Sequence, residues 1–354
     1  MSDVPAVLDR LLRTPGAPGQ EAAPVAVWRE AAEDFADSVE VDAMGTPVAL
    51  VDGRGEHPLL AVVGHIDEIA VLVSHVTKEG MLKVVSSGGW DPQILVGQRV
   101  DVLTGEGPIP GVVGRKPIHL LEQEERKKAV RLKDLHVDIG VRDADEARGL
   151  VREGDPIVIA AEPVTLPNGR LASRALDNRL GVYVALESAR RVADAGGGAG
   201  PVAAVAAVQE EIGTHGAGAM AYRLRPDVAI VVDVTHATDA PGVESGELGE
   251  HGLGDGPVLT RGAIVNARVN RLLDEAAEAE GIATATEVSG RATHTDADSI
   301  HLSRSGVPTA IISIPLRYMH SAVELVELAD VEAVIALIAA FALRLEEDTS
   351  FARW

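Results

Sequence analysis

Five segments of this chain carry side chains of metal-ligating type, either directly after an apolar run or just before a helix. Residues 59–64 lead into His65-Ile66-Asp67-Glu68, and residues 202–209 lead into Glu210-Glu211-Ile212-Gly213. The run 228–232 ends at Asp233, and 309–315 lead to Arg317-Tyr318-Met319-His320-Ser321. The fifth segment, Ser173-Arg174-Ala175-Leu176-Asp177-Asn178-Arg179, precedes a stretch of helical periodicity. In an open α/β sheet the site lies at the carboxyl ends of the strands. His, Asp, Glu, Asp and His delivered to one such edge are what a two-metal hydrolase needs. Two divalent cations would bring more positive charge than Asp177, Glu211 and Asp233 cancel, with His65 and His320 neutral. The surplus favours hydroxide, since metal binding can lower the pKa of water from 15.7 to roughly 7. Without cations, three facing carboxylates would raise one another's pKa. Imidazole and carboxylate donors without sulfur suit zinc, cobalt or manganese, whereas calcium prefers oxygen alone.

Each segment taken singly has an ordinary reading. A His-x-Asp at a strand end is usually a solvated turn, and a Glu-Glu pair is usually a hydrated helix start. Asp177-Asn178 before Leu180 is a respectable N-cap, worth about 1 kcal/mol with no metal. Asp233 resists this treatment. A charge placed directly after an apolar strand is half-buried and must find a partner.

These segments need a sheet to hold them. Residues 180–193, 267–280 and 329–345 read as helices, and 202–208, 228–232 and 309–314 as strands. Such alternation predicts an α/β fold, a mostly parallel sheet sandwiched by helices. Between residues 69 and 162 the texture changes to short β runs separated by Gly/Pro turns, with one charged helical candidate at 120–129. The chain therefore reads as a catalytic domain, residues 1–68 and 163–354, interrupted by an inserted small β domain, residues 69–162.

Composition narrows the partners. The 354 residues carry a net charge of −22, which repels phosphate backbones and anionic lipid, so neither nucleic acid nor membrane is an expected partner. Only three each of Trp, Tyr and Phe are present, too few for a stacking platform or a polysaccharide cleft. Cysteine is absent, which removes thiol catalysis and thiolate sites and fits a reducing cytosol. Residues 1–14 do not read as a signal peptide, and the longest apolar runs are strand-sized. A cytoplasmic location is expected.

The motifs in their order resemble the glutamyl-aminopeptidase, or tetrahedral aminopeptidase, family of dinuclear metallopeptidases, some of whose members are labelled endoglucanases. The resemblance is carried by Gly64-His65-Ile66-Asp67-Glu68-Ile69, Ala175-Leu176-Asp177-Asn178-Arg179 and Gln209-Glu210-Glu211-Ile212-Gly213. It continues through Val232-Asp233-Val234-Thr235, Thr295-Asp296-Ala297 and Pro315-Leu316-Arg317-Tyr318-Met319-His320-Ser321, spanning nearly the whole chain. It implies a zinc-aminopeptidase-like fold with two divalent metal ions per chain, zinc or cobalt first and manganese also suitable. By resemblance, His65 and Asp233 hold one ion, Glu211 and His320 the other, and Asp177 bridges them. Glu210 would be the general base, and Asp67 would accept a hydrogen bond from His65. The peptide after Asp177 would be cis. The inserted domain would serve dimer contacts, in a homo-oligomer of dimers or a tetrahedral dodecamer acting on short peptides. Adjacent residues at a strand end point opposite ways, which by itself separates the jobs of Glu210 and Glu211.

Two departures bear on substrate choice: His294 stands where the family commonly has Gly, and His215 follows Thr214 after the Glu-Glu motif. Arg291 and Arg317 are candidates for pairing with an acidic substrate side chain, and residues 311–314 for lining a leucine pocket. Rival readings are an amidase or deacylase of the same metal class, a glycoside hydrolase, and a non-catalytic assembly protein.

Overall fold

The structure is a computed structural model and describes residues 4–353. After the helices Ala6–Arg13 and Ala22–Glu33, the chain lays down β1 (Ser38–Val41), β2 (Pro47–Val51) and β3 (Leu60–His65). It then leaves the sheet for β4 (Ala70–Val76), β5 (Leu82–Ser87), β6 (Arg99–Thr104), β7 (Gly107–Arg115), β8 (Leu135–Asp138) and β9 (Pro156–Ile159). These six close into an antiparallel barrel, in the order β4-β5-β8-β7-β6-β9. Two short strands, β10 (Val164–Leu166) and β11 (Arg170–Ser173), lead to the long helix Leu176–Asp194. The chain then returns through β12 (Val202–Ala207), β13 (Val228–His236), β14 (Val258–Gly262), β15 (Ala285–Ser289) and β16 (Thr309–Leu316). Finally β17 (Glu324–Glu327) joins β10 and β11 in a three-stranded sheet, and the helix Leu328–Arg344 closes the fold.

The central sheet runs β1-β2-β12-β3-β13-β16-β14-β15. Its middle pairs, β12 with β3, β3 with β13 and β13 with β16, are parallel. Strands covered on both faces read as continuous apolar runs. That is why β3 and β12 are buried along their whole lengths. Two glycines let the long helix approach β3. A Cβ on Gly64 would collide with the Gly181 backbone, and one on Gly181 would meet the Asn178 side chain and the Val232 carbonyl. This contact brings the start of the helix against the carboxyl end of β3.

The barrel has its own core, built from Val71, Val73, Leu82, Val100, Val102, Leu135, Val137 and Ile157. The apolar runs of β4 and β5 therefore chiefly fill the barrel, leaving Val85 exposed on the outside. The expected helix at 120–129 shrinks to the single turn Gln123–Arg126, with no buried residue. Its charges offer no apolar stripe to dock, and so short a helix is not stable alone.

Candidate metal centre

The sequence candidates arrive from four places along the sheet. His65 is the last residue of β3, and Asp233 lies within β13. Glu210 and Glu211 follow β12, and His320 follows β16. Asp177 stands at the start of the long helix, and its peptide to Asn178 is cis, as the resemblance implied. Asn178 secures that start: its amide donates to the Val232 carbonyl (2.9 Å), and its Oδ1 accepts from the Gly181 amide (2.8 Å). All five ligand candidates and Glu210 line one cavity of about 460 Å³.

Asp177 lies at the middle. One of its oxygens is 3.2 Å from His65 Nε2 and the other 3.3 Å from His320 Nε2. Two donor groups result, His65–Asp177–Asp233 and Asp177–Glu211–His320, each with its ligand atoms within 4.8 Å of one another. Both groups fit a divalent cation, and the donor set contains only imidazole and carboxylate. Glu211 Oε1 is buried without a hydrogen-bond partner among the described residues, an orphan that a cation would satisfy.

The electrostatics match this arrangement. Burial pushes the Glu211 carboxyl well up, and neighbouring Asp177 adds to it. Burial likewise pushes Asp233 up. Asp177 is held below the usual carboxylate range despite its burial, because His320 and His65 face it. Glu210 is raised, chiefly by burial. A divalent cation would reverse the cost of placing several carboxylates together.

Asp67 does more than the sequence indicated. His65 Nδ1 lies 3.2 Å from the Asp67 main-chain carbonyl, closer than the 3.5 Å to its carboxylate. The carboxylate instead accepts from the main-chain amides of Glu210 and Glu211, both at 3.1 Å. Those glutamates stand on a turn beyond β12, where Gln209 adopts a left-handed φ of 58°. Strand alternation therefore does not separate them. What separates them is where they reach, Glu210 to within 3.8 Å of His65 and Glu211 to within 3.6 Å of His320.

Two contributors have no counterpart in the sequence reading. Glu324, fully buried on β17, accepts from the Asp177 amide at 3.1 Å and from the His320 amide at 2.9 Å, tying the start of the long helix to the segment after β16. Its signal was a lone Glu four residues after His320. The inserted segment supplies the other contributor, because the Gly89 carbonyl is 2.8 Å from His320 Nδ1 and so fixes the ring and presents Nε2 to the site. His294 lines the cavity, whereas His215 starts the helix His215–Leu224 and faces Gln209 Oε1 at 3.4 Å. Arg317 does not line the cavity and is paired with Asp239 (Nε to Oδ1 2.9 Å).

Comparison with known proteins identifies this architecture. Residues 45–337 match the family described as M42 glutamyl aminopeptidase. The chain belongs to that family. A lysyl aminopeptidase from Pyrococcus furiosus is 34% identical over 334 residues, covering 94% of both chains. Among solved structures, the TET aminopeptidase of a marine sediment archaeon of the Thaumarchaeota is 36% identical, with a TM-score of 0.91 over 96% of each chain. The TET1 peptidase of Pyrococcus horikoshii is 33% identical, with a TM-score of 0.84 over 96% of this chain and 99% of that one. It can assemble into a tetrahedron or a large octahedral shell. As an M42 member, the chain is a peptidase of a metal-dependent family, with the α/β fold and inserted barrel of the TET structures. None of its described helices is long and apolar enough to cross a membrane.

Proposed function

We propose that this chain is a dinuclear metal-dependent aminopeptidase that removes N-terminal residues from short peptides in the cytoplasm. The observation that carries the reading is Asp177, which belongs to both donor groups and turns one oxygen to each histidine. His65, Asp177 and Asp233 would hold one ion, and Asp177, Glu211 and His320 the other, with zinc or cobalt the best match and manganese suitable. When bound, the ions would supply Lewis acidity and lower the pKa of water. The rest of the chemistry belongs to the chain. The Glu210 carboxylate takes a proton from the attacking water and passes it to the departing amine nitrogen. Burial raises its pKa above the ordinary carboxylate value, which makes it a stronger base than an exposed glutamate. Asp67, by holding the amides of Glu210 and Glu211, keeps base and ligand in fixed relation.

Among the described residues, the cavity wall contains no Trp, Tyr or Phe, which leaves a sugar ring without a stacking face there. An amidase of the same metal class is separated by experiment. Short peptides and their N-acetylated counterparts are incubated with the protein plus zinc, cobalt or manganese, and products are read by mass spectrometry. Loss of the first residue from the free-amine peptides alone is the expected result. Removal of acetate, with the free peptides left intact, would overturn the reading in favour of a deacylase.

The same proposal includes a homo-oligomer that uses the barrel as its contact surface. A net charge of −22 opposes casual association, so contact needs dedicated apolar area. Val85, Val112, Ile118 and Leu120 are large apolar side chains exposed on the inserted segment. Sedimentation of the full chain should give a species well above 37.0 kDa, in steps of dimers or a dodecamer. A lone monomer at micromolar concentration would exclude it.

A further inference from the structure

Beside the metal centre the cavity holds one acidic group that the chemistry above does not use. Glu287 lies on β15, three strands along the sheet from Asp233 on β13. At about 4.8 Å per strand, their backbones stand roughly 14 Å apart. Both side chains line the same cavity and shorten that gap from either end.

Three hydroxyls converge on the Glu287 carboxylate. Oε1 accepts from Thr260 Oγ1 at 2.6 Å and from Ser313 Oγ at 2.8 Å, and Oε2 accepts from Thr235 Oγ1 at 2.7 Å. Thr260 and Ser313 are buried, so the carboxylate is aimed from behind and half-buried, its open side on the cavity. Its three partners are all neutral. Among the described residues, the cavity wall contains no lysine or arginine, and its other acids are Asp177, Glu210, Glu211 and Asp233, beside the metal centre. Ser313 pairs in register with Asp233, so the hydroxyl cluster is braced against the strand that carries a ligand candidate. Ile311 and Met319 give the same cavity apolar wall.

We infer that Glu287 selects peptides whose N-terminal residue is basic, its carboxylate receiving the side-chain cation in the cavity beside the ligand candidates. An ammonium on a flexible four-carbon stem, or a guanidinium, can cross from the metal centre to Glu287 with its methylenes against Ile311 and Met319. An acidic side chain would meet Glu287 with like charge, and Arg317, a candidate to receive it, is already paired with Asp239. A purely apolar side chain would offer the carboxylate no counter-charge and would displace water from its open side, a cost its neutral hydroxyl partners do not offset.

The inference rests on the aminopeptidase reading, and its test separates the two. Metal-loaded protein is assayed on amides of lysine, arginine, norleucine, leucine and glutamate, norleucine having lysine's chain without its ammonium. Lysine and arginine should exceed norleucine in kcat/KM by about 10–100-fold, the usual range for one charge-assisted hydrogen bond, and glutamate should be slowest. In Glu287→Gln the lysine-to-norleucine ratio should fall at least tenfold, mainly through KM for lysine. Calorimetry with free lysine and norleucine should show the same narrowing without turnover. A parent that cleaves leucine or glutamate amides faster than lysine overturns the specificity and leaves the aminopeptidase reading standing. A Glu287→Gln variant that slows lysine and norleucine equally assigns Glu287 a bracing role and overturns it too. Failure on every amide overturns both.

Discussion

Glu210→Gln should lower kcat by about 10²–10⁴-fold while metal content stays at the parent's level. Glutamine keeps the size of the side chain and its hydrogen-bonding capacity but cannot take a proton from water. The main chain at this position is held independently, because the Asp67 carboxylate binds the amide and not the side chain. The Glu210 carboxylate also falls outside both donor groups, so its loss leaves each with three donors. Elemental analysis and steady-state kinetics on the same preparation check the two halves of this statement. Turnover within a few-fold of the parent would mean that another residue is the base. Loss of metal along with turnover would make Glu210 a ligand instead. A drop in kcat with KM little changed is the pattern of an interaction made only in the transition state.

The ligand candidates were legible because each follows a recognisable piece of sequence. Asp233 comes straight after a run too apolar to tolerate a free charge, and His65 closes a strand buried along its whole length. Parallel strands with helices on both faces bring such ends to one edge, so strand assignment alone was enough to gather His65 and Asp233. Asp177 was harder, since nothing local separates a bridging carboxylate from an N-cap. What brings it to the site is the Gly64–Gly181 approach, a backbone contact between two glycines far apart in sequence. The contributions of Gly89 and Glu324 were illegible for related reasons. Gly89 acts through its carbonyl, which every residue type possesses, across 231 positions of sequence. Glu324 acts by accepting main-chain amides, and those donors carry no sequence signature either. The separation of Glu210 from Glu211 was anticipated on strand alternation, yet the chain has left β12 by then and the turn at Gln209 sets their directions. The inserted barrel was visible from its Gly/Pro-punctuated β runs, whereas the reach of the inserted segment to His320 through Gly89 was not.

Asp177→Ala should reduce bound metal from about two ions per chain to nearly none. The other four ligand candidates belong to one donor group each, so His320→Ala or Asp233→Ala should weaken chiefly one of the two ions. Asp177 belongs to both. Removing it leaves His65 with Asp233 on one side and Glu211 with His320 on the other, two donors where a stable site needs three or four. Even residues that only orient a ligand cost 10–100-fold in metal affinity when lost, and a shared ligand should cost at least that at each site. A fold defect could mimic this result, since the Asp177 amide is itself held by Glu324. Alanine retains that amide, however, and circular dichroism of the metal-free variant should match the metal-free parent. Asp177→Asn, which keeps the shape and removes the charge, provides a second variant with the same expected loss. A metal that binds only the folded state raises its melting temperature in proportion to occupancy. The parent should therefore melt higher as zinc or cobalt is added, and both Asp177 variants should show little response. Two ions retained per chain in either variant, or an undiminished thermal response, would remove Asp177 from the bridging position and with it the dinuclear reading of the site.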